Sequence, residues 1–219
     1  MYKIVIIGAN GKMGKLAEET INQMVNFSIV AKITRGNNLS EVLKSFKPDI
    51  AIDLTSYTCV RENALTIIKN GVRPVIGTSG LLENEIEELQ VCCQEQQLGG
   101  LFIPNFSVGM ACINKLLREL KPYFSDFSIV EFHHAQKQDK PSGTARYTAN
   151  MLGIDEKHIA SIRTNGFLAK QQVYINSENE RIIIDQESFS RNSFMQGIQL
   201  SITKVLQLNQ FIVGLENIL

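Results

Sequence analysis

A short segment of the chain holds side chains suited to moving a proton. Residues 131–145 have the sequence EFHHAQKQDKPSGTA, which contains His133, His134 and Lys137. Histidine gives or takes a proton near neutral pH, and lysine supplies a positive charge. A histidine pair is also found at metal sites and on functionless surface turns, so these residues alone leave three interpretations open. Neighbouring residues of a strand face opposite ways, so both histidines serve one site only if the preceding strand ends near Glu131.

The Pro-Ser-Gly-Thr turn that follows predicts an anion site. Ser142 is a candidate N-cap for a helix, because a serine hydroxyl can accept a hydrogen bond from the first helical turn. The main-chain amides of Gly143 and Thr144, together with the Thr144 hydroxyl, would then point at a bound anion. The segment therefore predicts a proton donor beside a carboxylate cradle.

A second segment, IVIIGANGKMG at residues 4–14, predicts a dinucleotide site. It places Gly8, Gly11 and Gly14 between an apolar strand and a helix, with spacing G-x-x-G-x-x-G instead of the usual G-x-G-x-x-G. Glycines let the main chain turn sharply and let a pyrophosphate approach the amides at the helix start. The alternative is an ordinary strand–helix turn.

The end of the second predicted strand bears on which nicotinamide cofactor would bind. An NAD-binding fold usually places a carboxylate there to bind the ribose hydroxyls. This chain has Thr34 followed by Arg35, and Lys12 lies in the glycine loop. Two cations and no carboxylate favour NADPH. The alternative is that Arg35 is a solvated turn residue.

Two more loops follow predicted strands, at the edge where such sheets bind ligands. They are Gly77–Gly80 (GTSG) and Pro104–Ser107 (PNFS). Their small and hydroxylated residues are suited to lining the path of a nicotinamide ribose, although each would also serve as a simple turn.

The first hundred residues alternate short apolar runs with helical patterns, which is typical of an open parallel sheet. The predicted strands are Tyr2–Ile7, Ser28–Ile33, Ile50–Leu54, Pro74–Ile76 and Leu101–Ile103. The predicted helices are Met13–Met24, Leu39–Phe46, Val60–Asn70 and Glu83–Gln96.

The pattern changes after Pro104–Asn105. A predicted helix at Met110–Tyr123 precedes longer runs in which apolar and polar residues alternate, which indicates a mixed or antiparallel sheet with one open face. These predicted strands are Phe127–Phe132, Phe167–Asn176 and Glu180–Ser190, the last two joined by a hairpin turn at Asn176–Glu180. A final helix at Phe194–Val205 and an apolar tail at Phe211–Leu219 follow.

Composition narrows the class of protein. Lys+Arg and Asp+Glu both number 22, so no global basic field favours nucleic acid. The four cysteines form no CxxC pair, which predicts neither a zinc site nor a disulfide framework. We expect no membrane span and no secretory leader, and hence a cytoplasmic protein.

With these motifs in place, the chain resembles the dihydrodipicolinate reductase family. The family signature E-x-H-H-x-x-K-x-D-x-P-S-G-T-A runs here from Glu131 to Ala145. Further agreeing pieces, in order, are Lys12–Gly14, Asp53–Thr55, Gly77–Gly80, Asn105–Gly109 and Ser188–Arg191 with Phe194 and Gly197. The resemblance spans nearly the whole chain.

The resemblance implies a reaction and a role for each matching residue. The expected reaction is NAD(P)H-dependent reduction of 4-hydroxy-tetrahydrodipicolinate to tetrahydrodipicolinate, in lysine and diaminopimelate biosynthesis. His133 matches the general acid, Lys137 its catalytic partner, and His134, Gly143 and Thr144 the contacts to a substrate carboxylate. The residues that match cofactor contacts are Gly8, Ala9, Asn10, Gly11, Lys12, Met13, Arg35, Gly77, Thr78, Ser79, Ile103, Pro104, Asn105 and Phe106. No metal is implied.

The resemblance also implies an architecture. We expect an α/β protein with a Rossmann-like parallel-sheet domain at residues 1–104 and 192–219. Residues 105–191 would form a smaller α+β domain with a mixed sheet, which binds the dicarboxylate substrate and builds a homotetramer.

The chain departs from the family pattern in three places. The span Arg35–Asp49 is short, Thr34 replaces an acidic residue, and no histidine follows Gly166 in Arg163–Val173. The last departure affects the sheet of the second domain and any contact that Arg163 would make with the substrate.

Two other functions stay open: a nucleotide-binding sensor, or a different NADP-dependent reductase of a small carboxylated imine or aldehyde.

Overall fold

The computed structural model describes residues 1–219, and the chain folds into two compact units. The first unit comprises Met1–Phe106 with Phe194–Leu219, and the second comprises Ser107–Ser193. No helix combines the length and the apolar character that crossing a membrane requires.

Ten strands form two separate sheets. In chain order they are β1 (Tyr2–Ile7), β2 (Phe27–Ile33), β3 (Ile50–Asp53), β4 (Arg73–Ile76), β5 (Gly100–Phe102), β6 (Asp126–His133), β7 (Ile159–Arg163), β8 (Ala169–Asn176), β9 (Arg181–Ser188) and β10 (Phe211–Val213).

Seven α-helices connect and cover these strands. They are α1 (Lys12–Asn22), α2 (Leu39–Phe46), α3 (Val60–Lys69), α4 (Glu83–Glu95), α5 (Val108–Leu120), α6 (Gly143–Leu152) and α7 (Met195–Val205).

The sheet of the first unit is parallel throughout, with strand order β10-β5-β4-β3-β1-β2. Helices cover both faces of such a sheet, so its central strands are buried. All four residues of β3 are buried, and three of them are apolar. The chain places β2 on one side of β1 and β3 on the other. The strand order therefore reverses at β1, which is where open α/β sheets bind ligands.

The glycine loop depends on close main-chain contacts that a larger residue would block. Gly8 has φ +83°, and a Cβ there would lie 2.4 Å from the carbonyl oxygen of Leu54. A Cβ on Gly14 would lie 2.3 Å from the carbonyl oxygen of Gly8. Glycine at these positions lets α1 begin tightly against the end of β1.

The second unit contains a four-stranded sheet of order β7-β6-β8-β9. Strands β6 and β7 are parallel and are joined through α6, whereas β6/β8 and β8/β9 are antiparallel. Helices α5 and α6 contact one another, and their apolar residues pack with one face of the sheet. Phe127, Ile129, Val173 and Ile175 are the buried sheet residues of this core.

The predicted fold class is confirmed: a parallel α/β sheet accompanies a smaller α+β unit with a mixed sheet. The predicted hairpin joins β8 to β9, where Asn176 pairs with Arg181. One strand, β7, was not predicted. Partly buried and exposed residues alternate along it, and the sequence IASIR contains no continuous apolar run.

Several predicted boundaries need correction. Helix α5 begins at Val108 instead of Met110, because the side chain of Ser107 caps it by accepting a hydrogen bond from the Met110 amide. It ends at Leu120, short of the predicted Tyr123. The apolar tail contains β10, which pairs in parallel with β5.

Candidate active site

The polar centre of the second unit is Glu131, a fully buried carboxylate on β6. Residues two apart on a strand face the same way, so Glu131 and His133 share the face covered by the helices. Oε2 of Glu131 contacts Nδ1 of His133, and that nitrogen is buried. The His133 side chain retains 12% exposure, so the accessible part of the ring lies away from Nδ1.

The other carboxylate oxygen binds Arg163. Nη2 of Arg163 lies 2.8 Å from Oε1 of Glu131, and the guanidinium is only 6% exposed. Arg163 is the last residue of β7, directly opposite His133 in the parallel register. It also donates to the carbonyl oxygens of Lys137 and Asp139. Arg163 therefore anchors the loop after β6, and this environment does not support the substrate contact considered for it from the sequence.

These contacts fix the charge of Glu131. Burial alone would raise its pKa, but hydrogen bonds from His133 and Arg163 lower the pKa of Glu131 to about 2. The carboxylate is therefore ionised at neutral pH and stays next to His133 as a fixed negative charge.

The start of α6 adjoins the same carboxylate. The Ser142 side chain caps the helix by accepting from the Ala145 amide at 3.2 Å, which confirms the predicted cap. The Ser142 amide lies 3.3 Å from Oε1 of Glu131. Gly143 and Thr144 form the first turn of α6, where main-chain amides favour an anion. One carboxylate thus touches both the candidate acid and the residue that opens the candidate anion site.

Lys137 forms an ion pair within the same loop. Its Nζ lies 2.9 Å from Oδ1 of Asp139, and its side chain is three-quarters buried. Burial would raise the pKa of Asp139, but the hydrogen bond and the charge of Lys137 lower it. The ammonium is therefore held in the loop between β6 and α6.

The two histidines have different surroundings. Strand β6 continues through His133, two residues beyond the end near Glu131 that a shared site was expected to need. His134 follows the strand, and its carbonyl accepts from the Lys137 amide at 3.0 Å. Nδ1 of His134 is buried and has no hydrogen-bond partner. A buried polar atom of this kind is usually satisfied, so a ligand is a natural partner for it.

The first unit has a cavity of about 610 Å³ at the carboxyl ends of β1, β2 and β3. Among the residues predicted to bind the cofactor, Gly8, Asn10, Gly11 and Arg35 line it. Thr34 and Asn37 lie beside Arg35, and the Asn37 side chain accepts from the Thr34 amide at 2.8 Å. The volume, the glycine turn and the cation suit a phosphorylated nucleotide.

Other predicted cofactor residues lie outside this cavity. Ala9 and Ile103 have buried side chains, so any contact they make with a ligand would come from the main chain. Gly77 is required by packing, because a Cβ there would lie 2.4 Å from the Phe106 ring. The remaining predicted residues that do not line the cavity are Lys12, Met13, Thr78, Ser79, Pro104, Asn105 and Phe106.

A buried aspartate holds the loop after β3 and the loop after β4 in place. Asp53, at the end of β3, accepts from the hydroxyls of Thr55 and Thr78 at 2.6 and 2.8 Å. Asn63 donates to its other oxygen at 2.8 Å. The Thr78 hydroxyl also accepts from the Thr55 amide. The Thr78 side chain is thus engaged inside the protein, which leaves its main chain for any cofactor contact.

The cavity is also lined by residues that were not predicted to bind a ligand. Thr55, Ser56 and Cys59 lie between β3 and α3, and Asn63 lies in α3. Burial would raise the pKa of the Cys59 thiol, but hydrogen bonds with Thr55 and Ser56 lower it. The position after a buried strand could have indicated Thr55, Ser56 and Cys59, whereas no local signal marks Asn63 within α3.

Comparison with known proteins identifies one family over nearly the whole length of the chain. Residues 2–106 match the family model "Dihydrodipicolinate reductase, N-terminus", and residues 107–219 match "Dihydrodipicolinate reductase, C-terminus". A 4-hydroxy-tetrahydrodipicolinate reductase of Legionella pneumophila is 42% identical in an alignment of 240 positions, gaps included, that covers 99% of each chain. The protein of that name from Coxiella burnetii is 37% identical and covers 99% of this chain and 98% of its own.

A solved structure extends the likeness to three dimensions. The dipicolinate-bound dihydrodipicolinate reductase of Paenisporosarcina sp. TG-14 is 29% identical, with a TM-score of 0.83 and full coverage of both chains. A probable dehydrogenase of Thermotoga maritima, 12% identical with a TM-score of 0.67, shares the fold.

Proposed function

Because this chain belongs to the dihydrodipicolinate reductase family, we propose roles for its residues in the reaction of that family. The protein is an oxidoreductase that reduces 4-hydroxy-tetrahydrodipicolinate to tetrahydrodipicolinate with a nicotinamide cofactor, in lysine and diaminopimelate biosynthesis. The reaction takes up one hydride and one proton and releases one water. The bound cofactor supplies the hydride, and the protein supplies orientation, charge and the proton.

His133 is the proton donor in this proposal. The observation that carries it is the bridge made by Glu131, which contacts Nδ1 of His133 and the amide of Ser142. An acid held next to an anion site can deliver its proton to a ring whose carboxylate is bound there. With Nδ1 engaged, Nε2 is the nitrogen that faces the substrate.

The first turn of α6 binds one substrate carboxylate. The amides of Gly143 and Thr144 lie at the positive end of the helix dipole, and His134 carries a buried nitrogen without a partner. Lys137 supplies a positive charge that stabilises the dianionic substrate and the electron density created at the ring. The dipicolinate bound in the Paenisporosarcina enzyme is a dicarboxylate of the class this cradle would accept.

The glycine loop and its cavity hold the cofactor, and Arg35 favours NADPH over NADH. The cavity has a cation beside Thr34 and no carboxylate among its lining residues. A guanidinium binds a 2′-phosphate well, whereas a ribose diol is usually bound by a carboxylate. The predicted residues outside the cavity would contact the remainder of the cofactor, from Lys12 and Met13 and from the loops Gly77–Ser79 and Ile103–Phe106.

The open face of the second sheet builds a homotetramer in our proposal. Tyr174 and Ile183 are paired across β8 and β9, and Ile183 is 52% exposed. Ile162 on β7 is also exposed, at 39%. Exposed apolar residues on one sheet face are typical of a protein interface. This unit would thus combine substrate binding with assembly.

One assay tests the function directly. The preceding synthase generates the substrate in the cuvette, and the absorbance of NADPH, then of NADH, is followed. We expect rapid loss only when substrate is present, and faster loss with NADPH at low cofactor concentration. Cofactor binding without substrate-dependent oxidation would instead identify a nucleotide-binding protein that has lost the reaction.

A further inference from the structure

We propose that Glu131 is a positioning residue for His133, which holds Nδ1 so that the proton is delivered from Nε2. This inference rests on the proposed function, because it takes His133 as the proton donor. Glu131 would then contribute to the reaction as well as to the stability of the fold.

Burying the Glu131 carboxylate requires a compensating positive charge. Glu131 is fully buried, and an unpaired buried charge is strongly destabilising. Arg163 already neutralises it through Oε1, at 2.8 Å. Oε2 is nevertheless turned toward His133 rather than toward a second arginine or lysine. The contact with the imidazole is therefore additional to what charge neutralisation requires.

The two ring nitrogens of His133 have different roles in this proposal. In a neutral imidazole one nitrogen donates and the other accepts, and the partner of one nitrogen decides the state of the other. Nδ1 of His133 is buried against a carboxylate, which can only accept a hydrogen bond. Nδ1 must therefore carry a proton, and Nε2 is left to exchange one with the substrate.

The same carboxylate also fixes the surroundings of His133. Arg163, held by Glu131, donates to the carbonyls of Lys137 and Asp139, and the Ser142 amide points at Oε1. The imidazole and the loop that carries Lys137 are thus anchored to one point. Such orientation of a catalytic group contributes to rate by holding it in a reactive geometry.

Nitrogen NMR of the wild-type protein tests the proton assignment without any change to Glu131. The chain has three histidines, so a sample labelled with ¹⁵N-histidine gives few signals. Spectra of His133→Ala and His158→Gln identify which belong to His133. We expect Nδ1 of His133 to carry a proton in both the neutral and the cationic ring. A neutral ring with a bare Nδ1 would overturn the proposal.

A double-mutant cycle tests whether Glu131 acts through His133. Glu131→Gln keeps the shape and removes the charge, and we expect kcat to fall about tenfold or more. In a His133→Ala background the same change should cost almost nothing further, because groups that act as a unit are not additive. A full additional loss in that background would mean that Glu131 acts elsewhere, and the proposal would fail.

A control variant separates positioning from general damage to the core. Thr148 on α6 is fully buried in the same unit and bonds Asn114 and Gln171, not His133. We expect Thr148→Val to lower the melting temperature with kcat largely kept, and Glu131→Gln to lower kcat with dipicolinate binding kept. Equal falls in kcat for both variants would reduce Glu131 to a structural role. If His133→Ala leaves kcat unchanged, His133 is not the proton donor and the positioning role falls with it; if only Glu131→Gln leaves kcat unchanged, the positioning role alone is wrong.

Discussion

Arg163 and Glu131 are 32 positions apart in the chain, yet they form an ion pair of 2.8 Å inside the second unit. The pair exists because β7 lies parallel to β6, with Ser161 opposite Glu131 and Arg163 opposite His133. The strand that carries the arginine therefore determines how the loop with Lys137 is held.

The charge on Glu131 should make stability depend on pH. Its folded pKa of about 2 lies below the ordinary 4.5, so the stabilisation is present above about pH 5 and is lost as the pH falls toward 2. The pKa difference corresponds to about 3 kcal/mol of unfolding free energy. Urea unfolding should show that the free energy of unfolding of the wild type exceeds that of Glu131→Gln near neutral pH, and that this difference narrows in acid. Glu87→Gln, at an exposed position, is the control. A difference between wild type and Glu131→Gln of the same size at every pH would contradict the prediction.

Loss of the proposed acid should slow turnover and spare cofactor binding. His133→Ala is expected to lower kcat by roughly 10²–10⁴, the range that general-acid catalysis contributes. His133 is not among the residues that line the glycine cavity, so the Kd of NADPH should stay the same. Stopped-flow turnover and fluorescence titration measure the two quantities. An unchanged kcat would remove His133 from its role.

Arg35 should distinguish the two nicotinamide cofactors. Arg35→Ala removes the cation from the cavity and should weaken NADPH by about 1–3 kcal/mol, with little effect on NADH, which lacks the 2′-phosphate. Calorimetric titration with each cofactor gives the ratio. Lys15→Ala on α1, exposed and outside the cavity, is the matched control. Equal weakening of both cofactors would mean that Arg35 does not bind the phosphate.

The glycine at the start of α1 should not tolerate even one methyl group. A Cβ on Gly14 would lie 2.3 Å from the Gly8 carbonyl oxygen, so Gly14→Ala should cost about 1–3 kcal/mol and displace the loop. Gly109→Ala on α5 is the comparison, because its Cβ would meet nothing closer than 3.6 Å. Thermal unfolding should show a large loss for Gly14→Ala and none for Gly109→Ala. Equal stability of the two variants would argue against close helix packing.

The open sheet face should control assembly. Ile183→Lys places a charge on an exposed apolar position and should give monomers or dimers of unchanged fold. Light scattering after size exclusion measures the mass, and circular dichroism checks the fold. Glu178→Lys, in the hairpin outside both strands, is the control. A mass unchanged by Ile183→Lys would place the oligomer contact elsewhere or exclude it.

Much of the fold and part of the candidate site follow from local sequence. The parallel strands and the Ser142 cap depend on neighbouring residues, so their patterns are visible in the chain. Strand β7 and the anchoring role of Arg163 depend on pairing with β6, which no short segment encodes. Thr78 is a second case in which a residue far along the chain determines what a side chain contacts. Its loop indicated a cofactor contact, but the buried carboxyl group of Asp53 accepts a hydrogen bond from its hydroxyl.

The parallel sheet of the first unit is completed by β10, which adds to β5 from the far end of the chain. During synthesis the second unit, residues 107–193, emerges complete before β10 is made. Until then β5 remains an open edge to which another strand could add. A nascent chain is thus open to strand addition at β5 until its last strand leaves the ribosome.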